Sequence, residues 1–178
     1  DIRYTIGSAT PVAGVPLTLA LTLVNLADNC APLAGYAIYV WHCTAAGVYS
    51  VYNENSVAAN YLRGVQATDS DGVVRFTTVV PGCYSGRMPH MHFEVYRSLA
   101  LATRAANKIR TSQLAFPTET LQTVYASSSA YTGSIANLAR MTFATDNVFS
   151  DGYSLEMVSM QGDPASGYTA NVTVGLAV

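Results

Sequence analysis

The chain has 178 residues, of which 11% are charged and 50% hydrophobic, and its formal net charge at pH 7 is −2. That length suits one domain with a sizeable core, residues 1–178, and the composition excludes a disordered chain. So small a charge gives no electrostatic pull toward nucleic acid or an anionic membrane, and the longest apolar run, residues 17–24, is too short and threonine-rich to cross a bilayer.

Along the chain, short alternating segments between turn residues predict strands. Leu17, Leu19, Leu21 and Leu23 alternate mostly with threonine and alanine, as in a half-buried strand over 16–25. A second strand is expected over 35–42, with Ile38 and Val40 on one face and Tyr39 and Trp41 on the other. Asp69, Ser70, Asp71 and Gly72 form a turn into a third strand over 73–79, a simpler reading of those carboxylates than a calcium loop. The segment after Pro81 and Gly82 is extended through His90 and His92, and another strand is expected over 112–116. After Pro117, a short helix over 118–125 is predicted, capped by Thr118 and carrying Leu121, Val124 and Tyr125 at helical spacing. Residues 153–161 and 168–176 read as a closing hairpin around Asp163, Pro164 and Gly167. The fold class is therefore all-β: an antiparallel β-sandwich with long active-site loops and at most one short helix.

Cys30, Cys43 and Cys83 are compatible with one disulfide plus a free thiol or with three thiols. Low charge and scarce lysine favour a secreted protein, and the start at Asp1 without Met reads as a processed or cut terminus.

Chemistry concentrates in residues 86–92, Gly-Arg-Met-Pro-His-Met-His. Side chains at i and i+2 of an extended segment share a face, so His90 and His92 can grip one metal ion while Met91, Phe93 and Val95 pack into a core behind them. Two imidazoles are too few for a catalytic metal, and three completions are open. His42 would give a three-histidine zinc site; Glu94 or Asp69 would give a two-histidine, one-carboxylate iron site; tyrosines would bind as phenolates. Phenolate, with a reference pKa of about 10, forms at neutral pH only on a strongly Lewis-acidic ion such as ferric iron.

Three stretches taken in order, residues 35–50, 61–95 and 111–117, resemble the intradiol ring-cleavage dioxygenases, most closely the exported bacterial members. Those are non-haem Fe(III) enzymes that cleave catechols with O2 to cis,cis-muconate-type diacids. The resemblance implies a metal set of Tyr49, which ends the Trp-His and Gly-x-Tyr-Ser block, Tyr84, which follows Pro-Gly-x, and the pair His90 and His92. It makes Tyr84 and His90 axial, Tyr49 and His92 equatorial, and Tyr84 a general base when it leaves the metal. It also places Arg87 beside the substrate ring and Gln113 on the oxygen side. Val48, Tyr52, Tyr61 and Arg63 are candidate lining positions.

Two departures from the family pattern stand out. Cys83 occupies a position that is often tryptophan in relatives, which alters the pocket wall or brings a disulfide beside the metal. The helical dimerisation domain of the intracellular enzymes is absent, which favours a monomer, and some exported members carry an extra binding module. Two rivals remain at this level: a zinc hydrolase or hydratase on His42, His90 and His92, and a non-catalytic binding module with Tyr52, Tyr61 and Tyr96 as its exposed face. A serine-hydrolase elbow, Gly-x-Ser-x-Gly, is absent from the sequence.

Overall fold

The structure, a computed structural model, describes residues 1–52 and 58–178. Strand β1, Pro16–Asn25, follows its alternation: Leu17, Leu19, Leu21 and Leu23 are fully buried while the intervening residues face outward. One edge of β1 pairs antiparallel with β2, Ala31–Pro32, and further along with β5, Val73–Val79. Its other edge pairs parallel with β9, Gly167–Leu176, which forms an antiparallel hairpin with β8, Ser159–Asp163.

The second sheet has the order β4, Arg63–Ala67; β3, Ala37–Trp41; β6, His90–Tyr96; β7, Arg110–Ala115, all antiparallel. Leu19, Leu21 and Phe76 from the first sheet meet Ile38, Val40, Met91, Phe93 and Val95 from the second in one apolar core. The outer face of the second sheet carries a smaller cluster of Tyr39, Trp41, Cys43 and Tyr49. The functional side chains gather on this outer face, as the alternation in residues 35–42 and 90–95 requires.

Four details depart from the expected arrangement. The β1–β9 contact is parallel, because hydrophobic period fixes which face a strand buries but not the direction of its partner. Two helices are present, α1, Thr118–Ser127, and α2, Thr132–Leu138. Pro117, not Thr118, occupies the cap position of α1 and makes no side-chain bond there. The first arm of the closing hairpin is also shorter than expected. Residues 156–158 run beside the end of β7 in the other sheet, where Ala115 N donates to Glu156 O and Val158 N to Ala115 O. The turn of the hairpin is as read: Asp163 Oδ1 accepts from Ala165 N and Ser166 N. Cys30, Cys43 and Cys83 are all free thiols, so Cys83 brings a buried thiol, and not a disulfide, to the position before Tyr84.

Candidate metal centre

His90 and His92 stand at the start of β6 on its outer face, and Met91, Phe93 and Val95 fill the core on the other. Register places Trp41 beside His92. Their rings stack with centroids 4.6 Å apart and planes 6° from parallel, and Tyr39 continues the stack at 5.3 Å. The His92 ring is thus fixed by packing before any ion arrives. His90 is fixed by a hydrogen bond: Nδ1 donates to Met88 O at 2.7 Å, which assigns the proton to Nδ1 and turns the Nε2 lone pair toward the site.

Tyr49 Oη lies 3.0 Å from His90 Nε2, and His92 Nε2 lies 3.1 Å from that same atom. Tyr84 closes the group from the solvent side, its ring edge-on to Tyr49 with centroids 6.0 Å apart. It is 46% exposed, and its hydroxyl bonds no described residue. Two loops bring the tyrosines together. Gly82 N donates to Thr44 O at 3.1 Å, and a Cβ at Gly82 would collide with the carbonyl oxygens of Thr44 and Ala45. Ser134 Oγ, fully buried on α2, donates to Ala45 O at 2.6 Å and accepts from Cys83 N at 2.8 Å, joining the Tyr49 loop to the Tyr84 loop.

Burial dominates the electrostatics. It lowers the pKa of His90 to about 4 and, with the charges of His90 and Arg87, that of His92 to about 3. Burial also pushes the Tyr49 phenol well above its ordinary value. Alone, the site holds neutral imidazoles and a neutral phenol, and only a strongly polarising cation would ionise that phenol. The donor set fits such an ion. Neighbouring ligands that each sit about 2.1 Å from one centre are about 3 Å from each other, as His90 Nε2 is from Tyr49 Oη and from His92 Nε2.

Arg87 lies at the rim. Its Nε donates to both oxygens of Asp146, at 3.1 and 3.0 Å, and its Nη2 donates to Gln113 Oε1 at 2.8 Å. Gln113 faces His92 across the β6–β7 ladder. With its carbonyl oxygen on Arg87, the Gln113 amide nitrogen is left to donate.

All six residues named from sequence therefore meet in one place, and the other candidates do not. His42 is fully buried, with Nδ1 on Cys43 O and Nε2 on Thr78 Oγ1. Glu94 bonds Lys108 and Tyr96, while Asp69 accepts from Asp71 N and Val73 N in its turn. Among the described residues, no group of three His, Cys, Asp or Glu side chains could hold a metal ion. The exposed aromatic face also fails, because Tyr96 is buried and Tyr61 half-buried. Arg63 bonds Ser50 and stacks over Tyr52 beside Tyr49, so it bears on the site through that loop. Sequence reasoning missed Asp146 and Ser134. Asp146 lies 59 residues from Arg87, and neither residue sits in a local pattern that betrays it.

Two loop tyrosines and a loop arginine thus gather beside two histidines of β6, the arrangement that the resemblance to ring-cleavage dioxygenases implied. Residues 5–158 match the family described as Dioxygenase, and the chain belongs to the intradiol ring-cleavage dioxygenases. An 81-residue stretch is 35% identical to chlorocatechol 1,2-dioxygenase of Pseudomonas putida, covering 35% of this chain and 31% of that protein. The chain thus matches less than a third of that relative's length. The intradiol ring-cleavage dioxygenase from Tetranychus urticae is similar in structure, with a TM-score of 0.73, 26% identity, and coverage of 92% of this chain and 81% of that one. The fold is shared with the dioxygenase domain of a dioxygenase and carbohydrate-binding protein fusion from Streptomyces sp. SirexAA-E, with a TM-score of 0.63, 24% identity, and coverage of 96% and 85%.

Proposed function

We propose that this dioxygenase opens catechol-type diols between their two hydroxylated carbons, using O2 and a non-haem Fe(III) held by Tyr49, Tyr84, His90 and His92, and yields cis,cis-muconate-type diacids. The observation that carries the proposal is the convergence of Tyr49 Oη and His92 Nε2 on His90 Nε2, with Tyr84 alongside. When bound, ferric iron supplies the Lewis acidity that ionises the phenols and draws electron density from a chelated diol.

The protein's own groups divide the remaining work. Tyr49 is buried and abuts His90, so it stays in place. Tyr84 is exposed and its hydroxyl bonds no described residue, so it is the tyrosine able to swing away and take a proton from an incoming hydroxyl at its Oη. Tyr49 and Tyr84 as phenolates would offset most of the charge of a trivalent ion in this poorly solvated site, and the negative oxygens of a deprotonated diol would replace the charge given up when Tyr84 takes a proton. Arg87 presents its guanidinium where negative charge develops on the ring, and the Gln113 amide offers a hydrogen bond on the oxygen side. Low charge and scarce lysine support an exported enzyme.

Metal analysis and a visible spectrum of freshly purified protein, then oxygen uptake with catechol, test the proposal. Expected are bound iron, a tyrosinate-to-iron absorption band weakened and shifted in Tyr49→Phe and lost when Tyr49 and Tyr84 are both replaced by Phe, and consumption of oxygen as catechol disappears. Colourless protein that takes up no oxygen with catechol after iron loading rejects it.

A further inference from the structure

We propose that Asp146 is a positioning residue of this site: one enclosed carboxylate aims the Arg87 guanidinium at the rim of the metal centre. The inference rests on the ring-cleavage reading above. Asp146 has no exposed surface. Its Oδ2 accepts from Arg87 Nε at 3.0 Å and from Met88 N at 2.6 Å. Its Oδ1 accepts from Arg87 Nε at 3.1 Å, Val148 N at 2.8 Å and Phe149 N at 3.1 Å. One cation and three backbone donors thus satisfy a carboxylate that would otherwise be costly to bury.

Geometry gives this cluster its consequence. Asp146 takes the Nε–H of the guanidinium, which leaves the terminal nitrogens to other partners, Nη2 donating to Gln113. Phe149, whose N–H Asp146 holds, packs its ring 5.7 Å from the Arg87 guanidinium carbon and 6.4 Å from the His90 ring. The same carboxylate meets the histidine segment through Met88, whose N–H it accepts and whose carbonyl accepts from His90 Nδ1. The carboxylate also neutralises Arg87, so the arginine adds no net charge to a centre that must stay balanced. Its segment enters through the turn at Phe143–Thr145, capped by Thr142, with no strand in common with the histidines.

Asp146→Asn keeps the shape but sets an amide N–H2 against donors of Arg87 and Met88. The kcat for catechol is expected to fall about a hundredfold while KM moves by less than about threefold, because a misaimed Arg87 loses transition-state contacts and not ground-state binding. Iron content, the tyrosinate band and its shift on anaerobic catechol binding are expected to persist. The double variant with Arg87→Gln is expected to be no slower than Arg87→Gln alone, the signature of one residue acting through the other. Should Asp146→Asn fail to fold, Asp146→Ser with added formate replaces it, and recovery of kcat by formate supports the assignment. Wild-type turnover in Asp146→Asn, losses that multiply with those of Arg87→Gln, or loss of iron from both Asp146 variants overturns it. Absence of catechol cleavage by the unaltered protein sinks the functional reading instead, before any variant is compared.

Discussion

His42 is next in sequence to Trp41 yet points into the protein, where both ring nitrogens are hydrogen-bonded. A zinc site would require it to turn outward and abandon two buried bonds. Burial lowers its pKa to about 4, as it does for His90, with His92 at about 3. In the metal-free chain these imidazoles stay neutral when folded and take up protons near pH 6.5 when unfolded. Between those values the unfolded state binds more protons, so stability is complete above pH 6.5 and is lost as pH falls toward 4. His42 alone accounts for roughly 3 kcal/mol of that loss. Urea melts of metal-free protein from pH 7.5 to 4.5 are expected to show this decline, and equal midpoints across the range would mean the rings are not buried neutral. His90 and His92 were legible because a period of two fixes a shared face. Asp146 was not, because nothing local marks a carboxylate whose partner arrives from a distant loop.

The helical segment acts on the site through its polar atoms. On α1, Tyr125 donates to Pro81 O; just before α2, Tyr131 donates to Val80 O and accepts from Val15 N; on α2, Ser134 bridges Ala45 and Cys83. The path that carries Tyr84 is therefore held at four successive residues from Val80 to Cys83, by these bonds and by the Gly82 contact to Thr44. Ser134→Ala is expected to lower stability by about 1–3 kcal/mol, the cost of stranding a buried carbonyl and a buried N–H. It is also expected to shift the tyrosinate band of the iron form by loosening the spacing of the two tyrosine loops. Thermal melts and visible spectra check both, and a spectrum identical to wild type would confine Ser134 to stability. The sequence conceals α2 because it is short and contains glycine, threonine and asparagine, poor helix formers that gain order only from tertiary contacts. By contrast β1 announces itself, since four alternate leucines have only one buried face to share.

Across the whole molecule, the first sheet carries none of the six site residues yet backs the sheet against which they gather. The match to the family stops at residue 158, yet β9 lies beyond it, wedged between β1 and β8 in the middle of its sheet. A chain ending at residue 158 keeps all six site residues but exposes the edge of β1 and uncovers core around Leu17 and Leu19. It is expected to show no cooperative thermal transition by circular dichroism; a sharp melt would mean that the first sheet tolerates the loss. Strand faces were readable from alternation, but the pairing of the earliest long strand with the latest was not, because partner and direction leave no mark on period. That pairing, with Leu17 opposite Tyr168, has a consequence for biosynthesis. A contact so remote in sequence forms slowly and late, so a ribosome must release β9 before the first sheet can close. The nascent chain therefore emerges with all six site residues already made while the sheet that backs them is still one central strand short.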